Sequence, residues 1–357
     1  MKTFPVKFSA RNLSLDAIVT MLDNHQKFKV EMVTGEPDPV ILHHHPAGHW
    51  TIERSGQRNF SAEVFEALQQ AISAHLDKIY SAKNILVLTD FSLSALNAVE
   101  YAAQLTHQLN TSSILLYHSH RHLPAITTAF APPVSILSEK EGTDKLLHLK
   151  DTATKLCRPG TAVNILADGR SLVSAVNILV EQQLMGLVVM GITGKSFFEK
   201  TLAGSNTVTV VKECSVPVLV IPNGISWQTI KKVVLACDLK KVSATIPVHP
   251  IKSFVQALGA GLLILYVNHT NGKPEQGAQE ELHLLHEIWD DQNPEYHYSD
   301  HENIEQGIMD FADDNDVDLI ITISKEYGFL EGIFHRSLTR SLTYKTHIPL
   351  LTFRENI

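Results

Sequence analysis

Residues 84–90 read NILVLTD, and residues 232–238 read KVVLACD. Each stretch is an apolar run that ends in Asp, as expected for a strand buried on both faces of a parallel sheet. In both places a helical pattern follows, and then a second apolar run: SILLYH at residues 113–118 and LLILYVN at residues 262–268. The same order of elements in two places indicates a repeated unit.

Two further pairs of apolar runs match at a constant offset of 132 residues: GLVVMG at 186–191 with DLIITI at 318–323, and VPVLVIP at 216–222 with IPLLTF at 348–353. A constant offset over this length predicts a duplicated domain. Strands and helices alternate through both units. The predicted fold class is therefore α/β, with two tandem open sheets of parallel strands and helices on both faces.

The turn-rich stretch PNGIS at residues 222–226 marks the boundary between the units. We therefore expect domains at residues 81–224 and 229–357, preceded by a small α+β module at residues 1–80. In this module Ser61 precedes a helical pattern, as an N-cap residue would. Three short strands are predicted before it, at residues 27–33, 39–44 and 49–54. Nothing in the module indicates its function.

The composition excludes several classes of protein. Apolar residues make up 44% of the 357 residues, which suits packed domains, and the net charge of −8 argues against a basic nucleic-acid-binding face. The three cysteines, Cys157, Cys214 and Cys237, match no metal or redox spacing. The N-terminus lacks the apolar run of a signal peptide, and no stretch has the length of a membrane helix. These features predict a cytoplasmic protein without nucleic-acid or membrane partners.

A glycine pattern follows one of the predicted strands of the first unit. Gly191 and Gly194 are separated by two residues, and after nine more residues Gly204 and Ser205 open a helical pattern. Glycines let backbone N–H groups approach an anion, and a helix start adds free N–H donors, so the arrangement predicts a phosphate cradle. Each glycine alone is also explained by a tight turn. A Walker A loop is excluded, because Val189 stands where that motif requires glycine.

The pattern G-x2-G-x9-G-S, after a strand and before VPVLV, resembles the nucleotide loop of the universal stress protein family. LTDFS at residues 88–92 and LLYH at residues 115–118 resemble the same family. The resemblance covers residues 81–224 well and residues 229–357 more loosely. It implies two tandem Rossmann-like domains of the adenine nucleotide α-hydrolase-like type. It also implies that the first domain binds ATP, ADP or AMP, with or without Mg²⁺.

The resemblance assigns roles by position. Asp90 would hydrogen-bond the ribose or the adenine, with Thr89 beside it, and His118 lies where the family reads adenine with backbone groups. The phosphates would be held by the following residues, with the last one at their edge: Gly191, Gly194, Gly204, Ser205 and Asn206. From the residues alone, Asp90 is also explained as a helix N-cap or as part of an Asx turn.

The second unit departs from the pattern. At the offset of 132 its three loop glycines are replaced by Ile323, Glu326 and Arg336, while Ser337 keeps the hydroxyl. Side chains would crowd the loop, and Glu326 would repel a phosphate. We therefore expect nucleotide binding in the first unit only, with a weaker anion site at Arg336 as the alternative.

Histidines cluster at residues 43–49 and again at His118, His120 and His122. Three imidazoles on one strand face are a candidate metal site. Neither cluster has a cysteine or a carboxylate spaced to complete such a site, so packed or solvated histidines are the favoured interpretation. No metal ligand and no catalytic residue is assigned.

The sequence thus predicts an ATP-binding protein of stress response or signalling, whose nucleotide state alters its conformation or its choice of partner. The alternatives are a slow ATPase or nucleotidyl-transfer enzyme on the same fold, and a structural tandem with a fixed nucleotide. No base next to the glycine loop supports catalysis.

The last apolar runs, residues 216–221 and 348–353, bear on assembly. Related stress proteins commonly dimerise through their last strand, so the resemblance implies that these two strands meet antiparallel within one chain and form a pseudo-dimer. The same contact between two chains, in a homodimer, is the alternative.

Overall fold

The computed structural model describes residues 3–11, 13–23, 27–33, 39–45, 48–54, 60–120, 139–192, 205–268, 277–324 and 348–355. The N-terminal part is an antiparallel sheet covered by one helix, and its strands neighbour one another in chain order. These elements are β1 (Thr3–Ala10), β2 (Leu13–Asp23), β3 (Lys27–Met32), β4 (Val40–His44), β5 (Trp50–Arg54) and α1 (Ala62–Tyr80).

The N-terminal sheet has one face buried against α1. Phe4, Val6 and Phe8 alternate with exposed residues along β1, which is the period-two pattern of a half-buried strand. Ser61 caps α1 by accepting a hydrogen bond from the Val64 backbone N–H, as predicted. The α+β class of the module is confirmed, and β1 and β2 are additions to the three predicted strands.

The first repeat alternates strands with helices. Its elements are β6 (Asn84–Leu88), α2 (Leu93–Leu109), β7 (Ser113–Ser119), α3 (Glu139–Leu156), β8 (Ala162–Asp168), α4 (Leu172–Gln182), β9 (Leu187–Ile192), α5 (Ser205–Glu213) and β10 (Val218–Pro222). One apolar cluster packs α2 and α3 on one face of the sheet, and a second packs α4 and α5 on the other. Burial on both faces explains why these strands are continuous apolar runs.

The second repeat has the same order of strands. Its elements are β11 (Lys232–Cys237), α6 (Val242–Thr245), α7 (Val248–Leu258), β12 (Gly261–Asn268), α8 (Ala278–Trp289), β13 (Glu295–Asp300), α9 (Ile304–Asp314), β14 (Leu319–Ser324) and β15 (Leu350–Arg354). The offset of 132 holds from β9 to β14 and from β10 to β15. Between β6 and β11, which start at Asn84 and Lys232, the offset is 148 residues. The two offsets differ because the connection between the second and third strands is shorter in the second repeat.

The two repeats share one ten-stranded sheet, in the order β13-β12-β11-β14-β15-β10-β9-β6-β7-β8. Neighbouring strands within each repeat are parallel, and β10 and β15 meet antiparallel in the middle of the sheet. Leu219 lies opposite Leu351 at the centre of that contact. The predicted antiparallel meeting of the two final strands within one chain is therefore confirmed.

Gln108 on α2 ties the first repeat to the second. Its Nε2 donates to the backbone oxygens of Ile230 and Leu258 at 2.7 and 2.8 Å, and its Oε1 accepts from the Ile230 N–H at 3.0 Å. Ile230 lies just before β11 and Leu258 ends α7, so one amide side chain fixes two segments of the second repeat against α2.

Helix α1 of the N-terminal module contacts α7 of the second repeat. His249 Nε2 lies 3.0 Å from Asp77 Oδ1, and Ser253 Oγ donates to the same oxygen at 3.3 Å. The hydrogen bond with His249 lowers the pKa of Asp77 below its ordinary value, although partial burial acts in the opposite direction. The module is thus attached to the second repeat through a carboxylate that favours its ionised form.

Candidate functional site

The first repeat offers a crevice at the carboxyl ends of its strands. The order β10-β9-β6-β7-β8 reverses direction between β6 and β9, because the chain builds outward from β6 first on one side and then on the other. Ligands of open α/β sheets bind at such a reversal, outside the carboxyl ends of the strands. Asp90 follows β6, and Gly191 lies near the end of β9. These two predicted residues therefore flank the crevice.

Asp90 lies in a tight turn between β6 and α2. Its Oδ1 accepts a hydrogen bond from the Ser92 N–H at 2.9 Å, which makes an Asx turn, and Phe91 within the turn has a φ of 65°. The N-cap of α2 is Ser92, whose Oγ accepts from the Ala95 N–H. The Asx turn is thus present, and the interpretation of Asp90 as the N-cap is wrong. The Asp90 side chain is exposed, and its Oδ2 makes no hydrogen bond to a described residue.

Thr89 and His118 tie the ends of β6 and β7 together. The Thr89 N–H donates to the Tyr117 oxygen, and His118 Nδ1 lies 2.9 Å from the Thr89 oxygen. Since that oxygen only accepts, Nδ1 must carry the proton. Both side chains are buried, and the His118 ring packs 4.5 Å from the Phe91 ring. The side chain of His118 therefore has a structural role, and base recognition by the backbone at this position stays a prediction.

Gly191 is required by packing. A Cβ atom built there would lie 2.2 Å from the Ser94 backbone oxygen and 2.9 Å from the Ala95 nitrogen, so the first turn of α2 passes directly over β9. Only a residue without a side chain permits this approach. The sequence assigned Gly191 to phosphate binding, which stays a prediction, and the structure adds that the glycine seats α2 at the edge of the crevice.

The rest of the glycine pattern is only partly described. Gly194 and Gly204 lie outside the described residues. Helix α5 begins at Ser205, so Ser205 and Asn206 lie in its first turn, where backbone N–H groups have no partner within the helix. The predicted helix start is confirmed. This first turn follows β9 in the chain, and it carries the partial positive charge of a helix N-terminus.

Comparison with known proteins identifies the first repeat. Residues 81–222 match the model described as the Universal stress protein family. These residues form a universal stress protein domain. No curated protein sequence matches the chain.

Solved structures share the fold over a longer range. A universal stress protein from Archaeoglobus fulgidus is 17% identical, and the match covers 77% of this chain and 97% of that one with a TM-score of 0.57. A functionally unknown protein from Pseudomonas aeruginosa is 12% identical, with coverage of 78% and 95% and a TM-score of 0.52. At these identities the likeness shows the fold, and its extent includes part of the second repeat. The Rossmann-like α/β fold is therefore confirmed.

The universal stress protein domain contains a polar cluster that the sequence analysis did not assign. At the end of β8, Asp168 accepts hydrogen bonds from Tyr117 Oη at 2.7 Å and from Arg170 Nε at 2.7 Å. Burial acts to raise the pKa of Asp168, but the hydrogen bonds from Arg170 and Tyr117 prevail and hold it below its ordinary value. The sequence held a signal for this cluster, because Asp168 is an acidic residue at the end of a strand, much as Asp90 lies just after one. The cluster fixes the carboxyl ends of β7 and β8, next to the crevice.

The second repeat retains one feature of the universal stress protein domain and alters another. Asp238, like Asp90, accepts a hydrogen bond from the backbone N–H two residues later, here Lys240. The helix that follows is only the four-residue α6, and Glu281 Oε2 accepts from its Val242 N–H at 2.7 Å. A carboxylate of the chain thus occupies the start of this helix. Outside the described residues lie Glu326, Arg336 and Ser337, the predicted counterparts of Gly194, Gly204 and Ser205.

The described residues also bear on metal binding and on membrane insertion. Within the ranges that the structure describes, His, Cys, Asp and Glu side chains form no group of three suited to a metal ion. His122 of the second histidine cluster lies outside those ranges. Among the same residues, none of the helices combines the length and apolar character needed to cross a membrane.

Proposed function

We propose that the universal stress protein domain, residues 81–224, binds one adenine nucleotide and acts as a nucleotide-dependent binding module of stress response or signalling in the cytoplasm. The observation that carries the proposal is Asp90. Its carboxylate is fixed at the reversal point of the sheet by one oxygen, while the other oxygen makes no hydrogen bond to a described residue. A carboxylate held in this way accepts hydrogen bonds from hydroxyl or amino groups, such as those of a ribose or an adenine.

The residues around Asp90 fit the remaining parts of a nucleotide. Backbone groups near His118 would meet the base, since its side chain is committed to Thr89. The first turn of α5 would meet the phosphates with N–H donors and a favourable dipole. In this proposal Gly194 and Gly204 complete the phosphate contacts with Ser205 and Asn206. ATP, ADP and AMP all satisfy these contacts, and Mg²⁺ would accompany ATP or ADP by neutralising its phosphates.

We assign the nucleotide to the first repeat alone. In the second repeat the counterpart of the first turn of α5 lies outside the described residues, so the assignment rests on the sequence there, where Glu326 replaces a loop glycine and would repel a phosphate. Asp238 repeats the Asx turn of Asp90 without a long helix behind it. The second repeat therefore serves in this proposal as the partner that completes the sheet.

A pair of variants tests the proposal. Asp90→Asn keeps an oxygen for the Ser92 N–H but removes the charge, so it should preserve the turn and weaken ATP binding by about 1–3 kcal/mol, the range for hydrogen bonds with charged groups. Asp238→Asn makes the same change in the second repeat and should leave ATP affinity unaltered. Calorimetric titration of each folded variant gives both the affinity and the number of sites.

The wild-type titration should show one site per chain. Two equal sites, or equal losses in the two variants, would contradict the assignment to the first repeat. Unchanged affinity in Asp90→Asn would return Asp90 to a role in the turn alone. Mass spectrometry of the nucleotide after incubation separates the binding module from a slow ATPase, because only turnover converts added ATP into ADP.

A further inference from the structure

A cavity of about 280 Å³ lies where the two repeats meet, and it shares no residue with the nucleotide site proposed above. Tyr101 of α2 lines it from the first repeat. Asp313, Asp316 and Asp318 line it from the second, and Ile225 contributes from the connection between β10 and β11. Its volume lies just below the range of about 300–1,000 Å³ for ligand pockets, which suits only a small molecule. A small molecule placed there would touch both repeats at once.

The charge of this cavity favours a cation. Three carboxylates line it, and α9 ends at Asp314, so the negative end of the helix dipole adds to them. Asp318 is held in place by the Lys231 and Lys232 N–H groups at 2.7 and 3.0 Å. One ammonium group approaches from outside the lining, since Lys232 Nζ donates to the Asn315 oxygen at 2.9 Å. Among the described residues the lining holds three carboxylates and neither a lysine nor an arginine.

Tyr101 is an independent sign of a ligand. The residue is only 2% exposed, lines the cavity, and its hydroxyl makes no hydrogen bond to any residue that the structure describes. Burial raises the pKa of Tyr101, and the nearby Asp318 charge adds to the shift, so the phenol stays neutral. The hydroxyl is therefore free to bond to whatever occupies the cavity. An ammonium or guanidinium group in the cavity would donate a hydrogen bond to this oxygen.

The geometry points to a small organic cation, an alkylammonium or guanidinium compound, as the ligand of this cavity. The described carboxylates include no group of three suited to a metal ion, and the space exceeds what one ion needs. Ile225, Val317 and Ile348 form apolar parts of the lining, which suit a short hydrocarbon stem between charged ends. Because both repeats contribute, the bound cation stabilises their contact.

The test uses 1,4-diaminobutane as the probe and 1,4-butanediol as its neutral counterpart of similar shape. Calorimetry of the full chain at low salt should detect the diamine and not the diol, and the diamine should raise the melting temperature. Tyr101→Phe removes only the hydroxyl and should weaken diamine binding about tenfold, the loss of one hydrogen bond to a charged group. Asp316→Asn should weaken it about fivefold, as an exposed charge pair allows.

Asp314→Asn is the matched control, because Asp314 is an exposed carboxylate on the same helix end that does not line the cavity. It should change diamine binding less than twofold. No diamine binding to the wild type, equal binding of the diol, or equal effects at Asp314 and Asp316 would each overturn the inference. Unaltered melting temperatures of the ligand-free variants establish that they fold, and the ATP titration of the same variants shows that the two sites are separate.

Discussion

Replacing Gly191 with alanine tests how closely α2 is seated on β9. The added Cβ atom would lie 2.2 Å from the Ser94 oxygen, 2.5 Å from its carbonyl carbon and 2.9 Å from the Ala95 nitrogen. All three are backbone atoms, so no side-chain rotation relieves the contact. Carbon atoms pack favourably at about 3.5 Å or more, and the first turn of α2 must therefore retreat by roughly 1 Å.

The displacement of α2 sets the expected loss in the free energy of unfolding. Overpacking in a well-packed core costs about 1–3 kcal/mol, and the absence of a flexible neighbour puts Gly191→Ala at about 3 kcal/mol. Gly261→Ala is the control, because its Cβ would meet only the Lys231 oxygen, at an ordinary 3.7 Å, and its φ is not positive. Because alanine lowers the conformational entropy of the unfolded chain, Gly261→Ala should leave the free energy of unfolding unchanged or raise it by up to about 1 kcal/mol.

Urea unfolding of the two variants and the wild type, followed by circular dichroism, measures both changes in the free energy of unfolding. A loss under about 1 kcal/mol for Gly191→Ala, with an unchanged denaturant dependence, would refute the reasoning. It would mean that α2 yields easily and that the glycine is not needed for packing. The variant should also bind ATP more weakly, since Ser92 caps α2 and holds the Asp90 turn, which would move with the helix.

Two other variants test how the parts of the chain are joined. Gln108→Ala leaves the backbone groups of Ile230 and Leu258 without their partner and should lower the free energy of urea unfolding by about 2–3 kcal/mol. Gln104→Ala, one turn earlier, removes a half-buried amide that bonds only within its own helix and should cost under about 0.5 kcal/mol; equal losses would show that the link is not specific. The pKa of Asp77 is lowered in the folded state, so its ionised carboxylate stabilises the fold. This contribution to the free energy of unfolding is complete above about pH 3.8, the ordinary pKa, and is lost as the pH falls through the lowered pKa. Asp77→Asn should therefore cost under about 1 kcal/mol at pH 7 and nothing at strongly acid pH, and an equal cost at both would contradict an electrostatic origin.

The sequence was informative where burial dictates residue type. Strands covered on both faces must be apolar throughout, which made β6, β9, β10 and their counterparts recognisable as runs. The repeat then followed from their spacing, and the pairing of β10 with β15 from the resemblance to stress proteins that dimerise through their last strand. Asp90 stood out because it directly follows such a run, and the family resemblance then assigned its role.

Other features depend on distances that no local pattern encodes. Gly191 reads as a loop residue until the position of α2 above it is known. His118 reads as a site residue, but its side chain is bonded to Thr89 because β6 and β7 are neighbours. The cavity at Tyr101 joins residues more than two hundred positions apart, and an aromatic residue on a helix face predicts only burial.

The antiparallel contact between β10 and β15 makes the pairing of the repeats independent of concentration. Two separate chains joined through their last strands would come apart on dilution, since their association obeys mass action. Here both strands belong to one polypeptide, so the effective concentration of one for the other is set by the short connection between the repeats. The composition of the pair is fixed as well. Each universal stress protein domain always faces the diverged repeat and never a second copy of itself across this joint.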